Sequence, residues 1–321
     1  MTTLLRNPLR NMWPVGALVF GAVIAQPAFA VDWNAVPGKE VVLFYPGQAS
    51  FEWALTKSDH SGATKFREGK NCRECHDGEQ AQIGALIVSG KKLEPDPIPG
   101  KRGSIKTTIK TAHDDENLYV HIEWPAAPPP SGPMMDPKFE EKATMMFDDG
   151  HVVEAKRAGC WGTCHDDAIG MASAPANAKI TKYLARSRTK ITRHGGDENF
   201  KPAAEIEGLL KDGIFMEYWQ ARLNQGSPAV PVDGYILDKR HENDSPTVSA
   251  NAEFANGNWS VVLSRKLVVG KPGHKDIVPG KTYYLGFAIH DAHAAHRFHQ
   301  VSFGYTLVLD KGEADFVATK R

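Results

Sequence analysis

Over most of the chain, hydrophobic and polar residues alternate with period two. In SIKTTIKTA, Ile105, Thr107 and Ile109 fall on one side and Lys106 and Lys110 on the other, the signature of a half-buried strand. After the turn DDEN, the run LYVHIEW gathers Leu118, Val120, Ile122 and Trp124 on one face. His121, Tyr119 and Glu123 are left on the polar face, so His121 reads as a surface residue. EVVLFYPG, KATMMFDD and IFMEYWQARL are further strand-like runs. AEFANGNWSVVLSRKL reads as a hairpin that turns at Asn256-Gly257, with Trp259, Val261 and Leu263 facing together. Two last runs, KTYYLGFAIHD and RFHQVSFGYTLVLD, close the series. On the second, His299, Val301, Phe303, Tyr305 and Leu307 share an apolar face.

Three stretches break the alternation. Residues 51–82 read as helical or irregular, KKLEPDPIPGKRG and PAAPPPSGP are proline-rich connections, and 166–212 reads as an insertion with a short helix at PAAEIEGLLK. Many short strands separated by turn signals predict a mainly β chain. The expected fold is an antiparallel β-sandwich with helical or irregular segments, in a single domain over 31–321.

The first thirty residues follow another pattern. Arg6 and Arg10 precede an apolar run from Trp13 to Ala25, and AFA at 28–30 is a small-x-small cleavage site. This predicts a signal peptide over 1–30, export to the periplasm, and no membrane span after cleavage. The 38 basic and 38 acidic residues balance, which gives no footprint for nucleic acid or an anionic membrane.

Export makes the four cysteines informative. Cys72 and Cys75 lie in KNCRECHDGE, a C-x-x-C-H run ending in His76. In such a run both thiols can form thioethers with haem vinyl groups while the adjacent histidine ligates iron from beneath the ring. A redox dithiol or half of a zinc site are the alternatives. Cys160, Cys164 and His165 in GCWGTCHDD repeat the arrangement with one additional residue between the cysteines. That pair reads as a second covalent haem site, the extra residue taken up as a bulge; a Cys160–Cys164 disulfide is the other reading.

With His76 and His165 as proximal ligands, eleven of the thirteen histidines remain for distal positions. His60, sixteen positions before His76, is far enough away for the chain to fold back over the first haem, and is the candidate there. Met171 is too close to His165 to reach across its ring. The densest cluster is HDAHAAHRFHQ, with His290, His293, His296 and His299. His299 lies on the apolar face of its run, where a buried imidazole needs a partner, and His290 shares its face with the small Gly286 and Ala288. His293 and His296 fall in the turn and read as solvated.

GKNCRECH, IGALIVSGKKLEP, AHDDENLYVHIEW, AGCWGTCHDD, NWSVVLSRKL and GFAIHDAHAAHRFHQVSF, in that order from about Phe51 to Leu309, resemble the ethylbenzene-dehydrogenase-related, DMSO-reductase-like haem-binding domains in their dihaem c-type form. The resemblance implies a DOMON-like sandwich with haem at one edge of the sheet. In relatives that serve molybdenum dehydrogenases, a methionine and a lysine hold a b-type haem. The lysine position falls on His299 here and the methionine near Met145 or Met146. This chain departs from that pattern in its covalent attachment. His299 is therefore kept as distal ligand of the second haem, with His290 as runner-up.

The expected function is a periplasmic carrier of single electrons with two haem c groups and transient redox partners, free-standing or serving a molybdenum enzyme. Bis-histidine ligation leaves no open coordination position and lowers the potential relative to methionine–histidine ligation. Two alternatives remain at this stage. One is a haem enzyme, a peroxidase or nitrogen-oxide reductase, with one iron left open; the other is a binding module in which haem is incidental.

Overall fold

The computed structural model describes residues 31–94, 97–128, 134–163, 183–191 and 199–321. The expected signal peptide therefore lies outside the described residues, as does about half of the expected insertion.

Among the described residues, thirteen strands carry the fold. The first five are β1 (Lys39–Phe44), β2 (Ser104–His113), β3 (Asn117–Pro125), β4 (Glu141–Asp148) and β5 (Met216–Leu223). Then come β6 (Val230–Ile236), β7 (Arg240–Glu242), β8 (Ser249–Ala255) and β9 (Asn258–Lys266). The last four are β10 (Tyr283–His290), β11 (Gln300–Val301), β12 (Tyr305–Leu309) and β13 (Phe316–Lys320). Hydrogen bonding runs β7-β6-β5-β4-β10-β11-β1-β2-β3-β9-β8, and β12 and β13 form a second bridge between β10 and β2. Most pairings are antiparallel, as expected, but β12–β13 and β13–β2 are parallel.

Folding this network over on itself buries one core. Trp124, Ile122, Trp219, Phe147, Phe287, Val261 and Leu263 meet there, each almost fully excluded from water. The hairpin turns at Asn256 (φ 51) and Gly257 (φ 77), left-handed conformations that Asn and Gly adopt readily. His121 departs from expectation. It is 5% exposed, its Nε2 lies 2.7 Å from Ser260 Oγ, and Trp33 covers it at 4.7 Å between ring centres. The outward face of β3 is thus capped by the segment that precedes β1, which strand alternation alone cannot foresee.

The last strand run is not continuous. Ala288 pairs with Val301, whereas Leu285 pairs with Tyr305, so three steps on β10 match four on its partner. The extra residue is a β-bulge. Ser302 fills it: its N–H donates to Phe287 O at 2.8 Å, and its Oγ accepts from Phe287 N at 2.9 Å. Because side chains alternate, the bulge reverses the facing. Val301 and Phe303 join a second apolar cluster with Phe44, Met146 and Trp161, while Tyr305 and Leu307 join the sandwich core. That second cluster lies outside the sandwich, next to several of the sequence-predicted site residues.

Helices supply its far wall: Phe51–Ala54, Ala63–Arg67, Arg73–His76 and Gln80–Val88 before β2, then Val153–Ala158 and a tight turn Cys160–Gly162 after β4. The helix Ala203–Lys211 is the one expected at PAAEIEGLLK.

Candidate haem sites

The first attachment motif is a single helical turn. Asn71 and Glu74 cap it reciprocally: Asn71 Oδ1 accepts from Glu74 N at 3.0 Å and Glu74 Oε2 accepts from Asn71 N at 3.1 Å. Cys75 N and His76 N both donate to Cys72 O, at 3.2 and 2.9 Å. Spacings of three and four residues bring Cys72, Cys75 and His76 to one face of the turn. The two cysteines are not joined in a disulfide. Burial pushes the Cys72 thiol up to about 12, so it stays protonated.

That face borders a cavity of 780 Å³ whose wall includes Trp53, His60, Cys72, Cys75, His76 and Phe303. His60, read from sequence as the distal candidate, is in the same wall. Its ring centre stands 6.0 Å from that of His76, with 40° between the planes. An iron ligated by two imidazoles needs ring centres ~6 Å apart, from ~2 Å bonds and ring nitrogens ~1 Å from each centre. His60 Nδ1 donates to Ala54 O at 2.9 Å, and His76 Nδ1 donates to Glu79 Oε2 at 2.8 Å. Each ring is thereby oriented through Nδ1, which leaves Nε2 as the nitrogen that could take a metal. Cavity, thiols and paired imidazoles together fit a covalently held haem.

The second motif is described only in part. The turn Cys160–Gly162 follows Gly159, whose φ is 78°. A Cβ on Gly159 would stand 2.7 Å from Gly304 N, so only glycine fits against the bulged strand. Cys164, His165 and Met171 lie outside the described residues. Trp161 lines the first cavity, and Cys72 N donates to Arg157 O at 2.9 Å, just before this turn.

A second cavity, of 390 Å³, opens between β4, β5 and β10, with Met146, Ala288, His290 and His299 in its wall. Of the two methionines singled out by resemblance, Met146 faces this cavity and Met145 faces the sandwich core. His299 is 2% exposed, and its Nδ1 donates to His296 O at 2.8 Å. His290 Nε2 donates to the same carbonyl at 3.0 Å. Burial, reinforced by His299, holds His290 well below the usual histidine range, so it is neutral. The two ring centres are 4.4 Å apart, too close to take one iron between them. At that spacing the cavity could present one of these two histidines to a metal, not both.

The turn that presents these histidines is firmly held. Asp291 binds Lys101 at 2.5 Å and Arg102 at 2.9 Å, and Arg297 binds Glu94 at 2.6 Å in a pair only 1% exposed. Between these anchors Ala292, His293 and His296 adopt left-handed φ of 49°, 58° and 53°, strain that persists because both ends are fixed. His293 is not freely solvated: its Nδ1 donates to Asp136 O at 2.8 Å.

Sequence reading missed Phe44, Trp161 and Phe303 as cavity walls, and Lys142, Arg222 and Arg240 at the second cavity. The bulge hid Phe303, which a continuous strand assigns to the sandwich core. The three cations carried no local signal, because they converge only through strand pairing.

The family model for ethylbenzene dehydrogenase matches residues 32–246 and 231–302. Cytochrome c-552 of Stutzerimonas stutzeri is 35% identical over 310 residues, 96% of this chain and 97% of its own length. Cytochrome c-551 of Rhodocyclus tenuis is 30% identical over 298 residues, 91% of this chain and 100% of its own. Among solved structures, a family 9 carbohydrate-binding module from Caldicellulosiruptor kristjanssonii, in complex with cellotriose, matches at 10% identity and a TM-score of 0.29. It covers 62% of this chain and 65% of that one. The chain belongs to the ethylbenzene dehydrogenase family, in company with these two cytochromes c.

Proposed function

We propose that the protein is a periplasmic dihaem c-type cytochrome, an electron carrier and not an enzyme. The 6.0 Å spacing of His60 and His76 beside Cys72 and Cys75 carries this reading. Bound there, haem supplies a one-electron couple. Cys72 and Cys75 would tether it and His76 and His60 would ligate its iron, which would leave no coordination site for a substrate. Glu79 and the Ala54 carbonyl hold the two imidazoles, so little reorganises when the charge changes. Cys160, Cys164 and His165 hold a second haem, with His299 as its distal ligand and His290 as runner-up. Partners dock transiently, as redox encounters do; the names of the two cytochrome relatives support this role.

Pyridine haemochrome analysis of exported holoprotein tests the reading. Two covalent haems per chain are expected, and Cys160→Ala should lower the count to one without blocking export. A disulfide between Cys160 and Cys164 in the native chain would remove the second haem.

A further inference from the structure

Trp161 stands in the wall of the first cavity and is 5% exposed, yet its Nε1–H has no hydrogen-bond partner. A buried donor left without an acceptor is costly, and native chains rarely keep one without a use. Buried indoles elsewhere in this fold find carboxylates: Trp124 donates to Glu141 at 2.6 Å and Trp219 to Glu217 at 2.7 Å. Trp259 Nε1 also lacks a partner, but Trp259 belongs to the sandwich core and lines neither cavity. Trp161 shares an apolar cluster with Phe44, Phe51, Phe66 and Phe303, whose rings offer no strong acceptor. The turn that carries it is closely packed on both sides. Gly159 closes against Gly304, and a Cβ on Gly162 would stand 3.4 Å from the Phe51 ring.

Haem in this cavity would bring the missing acceptor. With its ring nitrogens bound to iron, haem keeps its propionate carboxylates as strong acceptors, and a charged acceptor makes the stronger bond. The wall suits them in charge as well: Lys65, Lys70 and Lys92 line it against a single carboxylate, Glu68. We propose that Trp161 is a positioning residue for the first haem, its Nε1–H donating to a propionate carboxylate. Trp161 lies between Cys160 and Cys164 in the sequence, so the segment of the second cysteine pair helps to seat the haem tethered by the first. This rests on the reading of a covalent haem at Cys72 and Cys75 and needs no second one.

Trp161→Phe keeps an aromatic ring in place and removes the donor. Holoprotein of this variant should retain the haem at Cys72 and Cys75, while a propionate bending band in its resonance Raman spectrum shifts. Losing a hydrogen bond to a charged acceptor should raise the carboxyl's proton affinity roughly tenfold. Reduction of the iron favours protonation of a nearby carboxylate, so the pH at which the first haem's reduction equilibrium inflects should rise by about one unit. A packing role alone would move neither. In wild-type holoprotein carrying nitrogen-labelled tryptophan, the indole N–H resonance of Trp161 should follow the same inflection. That measurement decides the matter if the variant fails to load haem: an indole resonance that ignores the titration overturns the proposal. A loaded variant whose propionate band and inflection match the wild type overturns it too, and leaves the haem reading standing. A wild-type peptide bearing Cys72 and Cys75 without haem overturns both.

Discussion

The two cavities are built in opposite ways. The first draws its ligands and most of its wall from Phe44 to Leu93, with Trp161 and Phe303 as the distant contributions. His60 lies in the turn between two short helices, and His76 ends a third whose first turn is capped by Asn71 and Glu74. The second is assembled across the sheet: β4, β5 and the segment 136–139 supply three residues each, and β6, β7, β10 and the histidine turn one or two. A site made by contiguous chain depends on caps and turn chemistry. A site made by strand pairing depends on register, and on two buried ion pairs that fix one turn.

Removing one distal histidine at a time probes this difference most strongly. His60→Ala should turn the first haem high-spin and leave the second unchanged; His299→Ala should do the reverse. Ferric optical and electron paramagnetic resonance spectra read both, and a low-spin spectrum retained in His299→Ala assigns the position to His290.

A smaller effect separates the strand-built region by pH. Burial pushes the Glu141 carboxyl on β4 up to about 7 from 4.5, against the pull of its bond from Trp124 Nε1 at 2.6 Å. The folded chain therefore holds a proton that the unfolded chain has lost. Stability is full below about pH 4.5 and falls as pH rises through about 7, by about 3 kcal/mol from this group. Denaturant unfolding at about pH 5 and about pH 8 measures the slope, which Glu141→Gln should flatten.

The smallest effects compare the glycines beside the two motifs. Gly159→Ala meets Gly304 N at 2.7 Å with φ 78°, and should cost about 2 kcal/mol and perturb both sites. Gly78, with φ 83°, has nothing within 4 Å, so Gly78→Ala should cost about 1 kcal/mol and leave the haem spectra unchanged. Thermal melts of holoprotein rank the two.

The same contrast explains what could be read from the chain. The Cys72–His76 turn and its partner His60 were legible, because a fixed spacing of reactive residues is a local property. The strands were legible from alternation, with Ile105 to Ile109, Leu118 to Trp124 and Trp259 to Leu263 all facing inward as expected. His121 was misread because its cover, Trp33, comes from a remote segment. The facing of Tyr305 was misread because one residue at Ser302 changes the phase of an otherwise regular pattern, and nothing about a serine announces it.

That phase change divides the final strand into two independent halves. Up to Phe303, odd-numbered positions face the cavity side; from Tyr305 on, odd-numbered positions face the hydrocarbon interior of the sandwich. Substitutions in the first half can therefore reshape the cavity side while thermal robustness is held elsewhere, whereas straightening the strand with its additional residue kept would send His299 and Leu307 to the same side.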